Sequence, residues 1–130
     1  FEVATSCVPL MAGLRCSLDL LDQEGSDGDR LERIRTLSKQ LWEELRSIRG
    51  ISPLLEGHPP AGLVSFQMHP EATRATPSEV VKALGSQKIW IRDLADPICL
   101  RACTHVCTSR NDIEQLTQQI RRLSAEDRCD

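Results

Sequence analysis

The segment IWIRDLADPICLRACTH, residues 89–105, contains two strand-like runs of β-branched and other apolar residues. From these runs we predict strands at Lys88–Arg92 and Ile98–Cys103. Two further strands are predicted at Ile51–Leu54 and Gly62–Met68, on either side of a turn rich in glycine and proline. Together the four runs predict a small, mostly antiparallel sheet.

Four helices are predicted around this sheet. The first is capped by Ser6 and runs to about Glu24, and the second spans about 29–49. A short third helix begins with a capping box at Thr76–Glu79, and the last follows a cap-like sequence at 109–112. The order helix, helix, strand, strand, helix, strand, strand, helix is typical of an α+β fold whose sheet is covered by helices.

The apolar residues of the first helix extend well past a single face. We therefore expect residues 1–25 to pack on a surface outside the chain, and residues 26–130 to form a small α+β domain. The chain begins with Phe1 and enters an apolar helix at once, so we expect it to be a piece of a longer protein.

Composition excludes several classes of protein. The 130 residues are 40% hydrophobic and 27% charged, with a net charge of −3, so we expect one folding unit that binds no nucleic acid. No apolar run is long enough to span a membrane, and the first residues lack the basic and apolar regions of a signal peptide, so we expect the cytoplasm. We expect reduced thiols at the six cysteines, which are Cys7, Cys16, Cys99, Cys103, Cys107 and Cys129.

Two arginines on the paired strands suggest a carboxylate site. A hairpin that pairs Arg92 with Cys99 places Trp90 opposite Arg101, so both guanidiniums and the indole share one surface. Each guanidinium is a planar fork that binds a carboxylate in a bidentate way, and two forks suit an amino acid with two acidic ends. A slip of one residue in the pairing separates them. The alternative is two solvated surface arginines.

Neither metal binding nor covalent catalysis is expected from the remaining residues. Three residues separate Cys99 from Cys103 and Cys103 from Cys107, and His105 lies between the last two, without the tight pair that zinc and cluster sites usually contain. His105 either hydrogen-bonds a substrate or satisfies a backbone group.

The three lysines, Lys39, Lys82 and Lys88, lack the setting that a Schiff-base amine requires. Thr5 and Ser6 precede a helix, where they either bind phosphate or only cap it.

Along its whole length and in order, the sequence resembles class V aminotransferases, the pyridoxal-phosphate enzymes that include cysteine desulfurases. RACTH at 101–105, followed by TSRNDI at 108–113, is similar to the closing motif of that family, and FEVATS at 1–6 is similar to its Phe-Glu-x-Gly-Thr segment. Within the family, GLVSF at 62–66 and ADPICLRAC at 95–103 resemble L-cysteine/cystine carbon-sulfur lyases.

This resemblance implies the C-terminal small domain of a fold-type I pyridoxal-phosphate enzyme. Arg101 then matches the arginine that holds the substrate α-carboxylate, and Arg92 a second arginine for the far carboxylate of cystine. Thr5 matches a threonine that reaches the cofactor phosphate of the neighbouring subunit, and Trp90 and His105 have weaker substrate-binding roles.

The resemblance also implies a homodimeric parent that eliminates sulfur from cysteine or cystine and leaves pyruvate and ammonia. The Schiff-base lysine belongs to a large N-terminal domain that this sequence lacks, so we expect the segment alone to be inactive. One alternative is a free-standing amino-acid-binding regulatory module. Another is a metal-binding redox protein.

Overall fold

The computed structural model describes residues 7–126 as four helices and four strands. In chain order these are α1 Val8–Gln23, α2 Asp27–Arg46, β1 Ile51–Pro53, β2 Leu63–Met68, α3 Pro77–Ser86, β3 Arg92–Ala95, β4 Ile98–Cys103 and α4 Arg110–Glu126. The predicted α+β class is confirmed. No helix within residues 7–126 is long and apolar enough to cross a membrane.

The four strands form one sheet in the order β1, β2, β4, β3, and every pairing is antiparallel. Two buried strands, β2 and β4, lie at its centre. Val64 and Phe66 on β2 pair with Ala102 and Leu100 on β4, and all four are at most 4% exposed. Their alternation decides which face of the sheet meets the helices.

Helices α2, α3 and α4 cover the face that carries these four residues. Each full burial of a large apolar side chain contributes about 1.5–3 kcal/mol, so this cluster is the main source of stability. The helical residues in the cluster are Leu37, Leu41, Trp42, Leu45, Val80, Leu84, Ile113, Leu116 and Ile120, and Ile48 joins them from the turn after α2. Alternate residues of β2, β3 and β4 project from the opposite side, which we call the outer face.

Capping boxes set the starts of three helices. Ser26, Thr76 and Ser109 each accept a hydrogen bond from the backbone three residues on, while the carboxylate at that position accepts bonds in return. The bonds from Thr76 lower the pKa of the Glu79 carboxyl, and those from Ser26 and Ser109 lower the pKa of the acids in the other two boxes. The predicted caps at residues 76 and 109 are confirmed.

At α1 the predicted cap is corrected. Ser6 lies outside the described residues, and the N-cap is Cys7, whose side chain makes no capping bond. Arg30 at the start of α2 donates hydrogen bonds to the carbonyls of Leu21 and Gly25, which ties the end of α1 to α2.

No residue of α1 is buried. Its large apolar side chains are between 38% and 73% exposed, namely Val8, Leu10, Met11, Leu14, Leu18, Leu20 and Leu21. Scattered apolar residues are normal on a surface, but a contiguous set of this size usually marks an interface.

The predicted strand at Lys88–Arg92 is wrong, because the first residues of this segment form the C-terminal hydrogen bonds of α3. The amides of Lys88 and Ile89 donate to the carbonyls of Gly85 and Leu84, and Lys88 has a φ of +63°. A residue in this left-handed conformation typically ends a helix, and its two amide bonds satisfy carbonyls that the helix leaves free. The strand begins only at Arg92.

Candidate functional site

A row of polar side chains crosses the outer face at the centre of the sheet. Arg92 on β3 is directly opposite Arg101 on β4, and Arg101 is directly opposite Ser65 on β2. Directly opposed residues of antiparallel strands have Cβ atoms about 4.5–5.5 Å apart and point to the same side. The three side chains therefore share one surface.

The predicted pairing of the hairpin is wrong by two residues. Arg92 faces Arg101 rather than Cys99, because Ala95 pairs with Ile98 and leaves only two residues for the turn. Since side chains alternate with a period of two, a shift of two residues keeps each one on its original face. The predicted common surface for the two arginines thus survives the error, and the two residues are directly opposed rather than diagonal neighbours.

Neither arginine has a partner in the described part of the chain. Arg101 is half-buried on a central strand and Arg92 is exposed on an edge strand, and neither side chain makes a hydrogen bond or an ion pair among residues 7–126. Like charges directly opposite one another destabilise a sheet. An anion that lies between the two guanidiniums relieves this repulsion, and a carboxylate fits the geometry of each fork.

Trp90 lies beside this row and not within it. It precedes β3, is 81% exposed, and packs one side of its indole over Gly85, where an added Cβ would lie 3.2 Å from the ring. The pairing that placed Trp90 opposite Arg101 is therefore corrected. The six-membered ring of the indole contacts Gly85 of α3, and most of the Trp90 side chain is exposed.

His105 lies in a short turn that follows β4. Its backbone amide donates to the Thr108 hydroxyl at 2.9 Å, and the Thr108 amide donates back to the His105 carbonyl at 3.0 Å. Its ring Nδ1 is 3.4 Å from the thiol of Cys107, and both side chains are exposed. Only Nε2 is left to meet another molecule.

A cleft of about 360 Å³ opens where β4 ends and α4 begins. Its lining includes Cys103, Thr104, Cys107 and Trp90 together with core-face residues such as Ala102 and Leu116. The cleft therefore opens on the helix-covered side of the sheet, and neither Arg92 nor Arg101 lines it.

The described residues do not build a cradle for pyridoxal phosphate. Thr5, the predicted phosphate ligand, lies outside them. Lys39 forms an ion pair with Glu43 at 4.0 Å, and Lys82 and Lys88 are exposed, so none of these amines is desolvated. Within residues 7–126 no group of three or more His, Cys, Asp or Glu side chains is placed to hold a metal ion.

Ser65 is a member of the row that the sequence did not predict as a site residue. Alternation along β2 put it on the face opposite Val64, but only the pairing of β2 with β4 brings it across from Arg101. Strand pairing between segments far apart in sequence leaves no local signal that would have identified it.

Comparison with known proteins bears on the fold and on the resemblance. No protein-family profile and no curated protein matches the chain. Two solved structures of C-DES match 93% of it at 36% identity and a TM-score of 0.85: a complex of this cystine C-S lyase with its reaction product cysteine persulfide, and a mutant with glycine covalently linked to the PLP cofactor. The chain has the fold of the C-terminal part of PLP-dependent enzymes. Its predicted resemblance to the cystine lyases is confirmed.

The C-terminal PLP-enzyme fold also occurs in more distant structures. A NifS-like protein from Rickettsia africae matches 73% of the chain at 9% identity with a TM-score of 0.62, which shows the fold alone. The chain spans 31% of the length of the two C-DES chains, so the described arginines account for only part of any complete site.

Proposed function

We propose that the chain is the C-terminal part of a PLP-dependent cysteine or cystine lyase, in which Arg101 and Arg92 hold the carboxylates of the substrate. The observation that carries this proposal is the direct opposition of two unpaired guanidiniums in a chain 36% identical to a cystine lyase. A purely structural arginine pair would be expected to find acidic partners, because unrelieved repulsion costs stability.

The two arginines differ in setting, and this suggests different roles. Arg101 is half-buried on a central strand, so its position is fixed and suits the α-carboxylate next to the reacting carbon. Arg92 is exposed on the edge strand and suits the far carboxylate of cystine, which cysteine lacks. Trp90 and the free Nε2 of His105 provide an apolar surface and a polar contact beside them.

When bound in the parent protein, PLP supplies the electron sink for β-elimination, which releases sulfur and leaves pyruvate and ammonia. The described residues do not fit the cofactor, so we assign its lysine and its phosphate contacts to residues outside them. This chain contributes substrate binding and orientation, and we expect no elimination by residues 7–126 alone.

The exposed apolar face of α1 favours a piece of a larger protein over a free-standing regulatory module. A free-standing module would leave the large apolar side chains of Val8–Gln23 in water. We propose that residues 1–25 pack on the large N-terminal domain or on the partner subunit of a homodimer, and that residues 26–130 form the small domain. The cytoplasm stays a prediction, supported by the free thiols described in the structure.

The test is Arg101→Lys in the full-length protein, with pyruvate formation from cystine as the readout. Lysine keeps the positive charge but lacks the planar guanidinium fork. We expect transition-state stabilisation to fall by about 2–4 kcal/mol, which lowers kcat/KM about 30- to 900-fold. Circular dichroism should be unchanged. Arg122→Lys, an exposed arginine on α4, is the matched control. Unchanged kinetics for Arg101→Lys would refute the assigned role.

A further inference from the structure

Ser65 is the third member of the polar row on the outer face, and its hydroxyl is uncommitted. Strand pairing places it directly opposite Arg101, on the two central strands of the sheet. Its side chain makes no hydrogen bond among residues 7–126. In that same range no buried side-chain oxygen lacks a partner, so the half-buried Ser65 presents its hydroxyl at the accessible surface. A hydroxyl placed in this way can donate to a ligand.

The other outer-face neighbours of Arg101 are poorer donors. On β2, β3 and β4 these neighbours, apart from Arg92 and Ser65, are Leu63, Gln67, Leu94, Cys99 and Cys103. The leucines are apolar and the thiols donate weakly. The Gln67 side-chain amide already donates to the carbonyl of Ile98 at 2.9 Å. Ser65 is therefore the neighbour of Arg101 best suited to share a polar ligand with it.

Charge repulsion favours the Ser65 side of Arg101 as the place for an anion. Arg92 lies opposite Arg101 on β3, and like charges repel, whereas Ser65 on β2 is small and uncharged. The Arg101 guanidinium therefore has the lower energy when it lies toward β2. A half-buried arginine also keeps its aliphatic stem along the protein surface, which holds its charged end near the sheet. A carboxylate bound by this guanidinium comes within reach of the short Ser65 side chain.

We propose that Ser65 is a further substrate-binding residue, whose hydroxyl donates to the α-carboxylate that Arg101 binds. This inference rests on the proposed function, which assigns that carboxylate to Arg101. A carboxylate has two oxygens that accept about four hydrogen bonds, and the guanidinium fork supplies two of them. The Ser65 hydroxyl supplies a third from a different direction. Because both residues are on central strands, the carboxylate is held in one orientation.

Two consequences separate Ser65 from Arg92. Cystine and cysteine both carry the α-carboxylate, so Ser65 should contribute equally to the two substrates, whereas Arg92 is assigned to the far carboxylate of cystine alone. The α-carboxylate also keeps its charge while sulfur is eliminated. A hydrogen bond to it stabilises the bound substrate and the transition state alike, so its loss raises KM and leaves kcat unchanged.

The experiment compares Ser65→Ala and Ser65→Thr with the unaltered full-length protein. Pyruvate formation from cystine and from cysteine gives kcat and KM, and calorimetry gives the Kd of L-2-aminobutyrate, which has the α-carboxylate of cysteine and no sulfur to eliminate. We expect Ser65→Ala to raise both KM values and this Kd about tenfold, as for a lost hydrogen bond to a charged group. Ser65→Thr keeps the hydroxyl and should stay within about twofold of the unaltered protein.

Ser52→Ala is the matched control. Ser52 is another half-buried serine on the outer face, but it pairs with Gln67 on the far side of β2, and its hydroxyl lies 2.8 Å from His69 Nε2. The substitution should change neither KM value nor the Kd of L-2-aminobutyrate. The urea midpoint of Ser65→Ala should match that of the unaltered protein, because no described hydrogen bond is lost.

An unchanged KM and Kd in Ser65→Ala, or equal rises in Ser65→Ala and Ser65→Thr, would overturn the inference. A loss confined to cystine would also overturn it, because it would place Ser65 at the far carboxylate. If the unaltered protein forms no pyruvate but Ser65→Ala weakens the binding of L-2-aminobutyrate, the lyase assignment fails and the Ser65 contact stands. If Ser65→Ala forms pyruvate with the kcat and KM of the unaltered protein, the Ser65 contact fails and the lyase assignment stands.

Discussion

Removing the charge of Arg92 should stabilise the isolated chain. Arg92 and Arg101 are directly opposed and neither has a partner within residues 7–126, so Arg92→Gln removes a repulsion and breaks no described contact. Two unit charges roughly 6 Å apart in a water-like dielectric repel by about 0.7 kcal/mol. Exposed side chains can splay apart, so we expect the free energy of unfolding to rise by about 0.3–0.7 kcal/mol.

The assay is urea unfolding followed by far-ultraviolet circular dichroism at low and at high ionic strength. The gain should shrink at high salt, because exposed charges are screened. Arg92→Lys keeps the charge and should show no gain, and Arg122→Gln removes a charge that faces no other guanidinium. A loss of stability in Arg92→Gln, or a gain that does not depend on salt, would show that the two guanidiniums do not repel each other as the register requires.

Three further predictions concern the fold. Gly62→Ala should destabilise the chain by about 1–3 kcal/mol, because its Cβ would lie 2.2 Å from the Thr104 carbonyl oxygen, whereas Gly57→Ala meets nothing within 4 Å and should be neutral in the same urea assay. Phe66→Ala should cost about 3–5 kcal/mol, since Phe66 is fully buried, and a smaller loss would contradict its central packing. The pKa of Glu79 is lowered in the fold, which adds stability that is present above about pH 4.5 and lost as the pH falls further. Glu79→Gln should therefore flatten the acid limb of a stability–pH curve.

The elements that the sequence predicted correctly are those with a local cause. The capping box at Thr76 needs only residues three apart in the chain, and the alternation of Val64 and Phe66 identifies β2 and its buried face. These signals depend on hydrogen bonds and periodicities within a single segment.

The predictions failed where the structure depends on hydrogen bonds to other segments of the chain and not on the local residue pattern. Ile89 and Ile91 alternate as in a strand, but the amide of Ile89 donates to the carbonyl of Leu84 at the C-terminal end of α3. The pairing of Arg92 was misjudged because alternation fixes the face of a residue and leaves the length of the turn open. The position of Ser65 across from Arg101 depends on pairing between distant strands, which no single segment encodes.

The most direct test of the two-carboxylate site compares Arg92→Ala with the unaltered full-length protein on cystine and on cysteine. Cystine has a far carboxylate and cysteine has none, so the account predicts that kcat/KM for cystine falls about 10- to 100-fold more than kcat/KM for cysteine, the amount expected for a lost charge-assisted bond. Arg122→Ala should change neither. Equal losses on the two substrates would contradict the assignment of Arg92 to the second carboxylate.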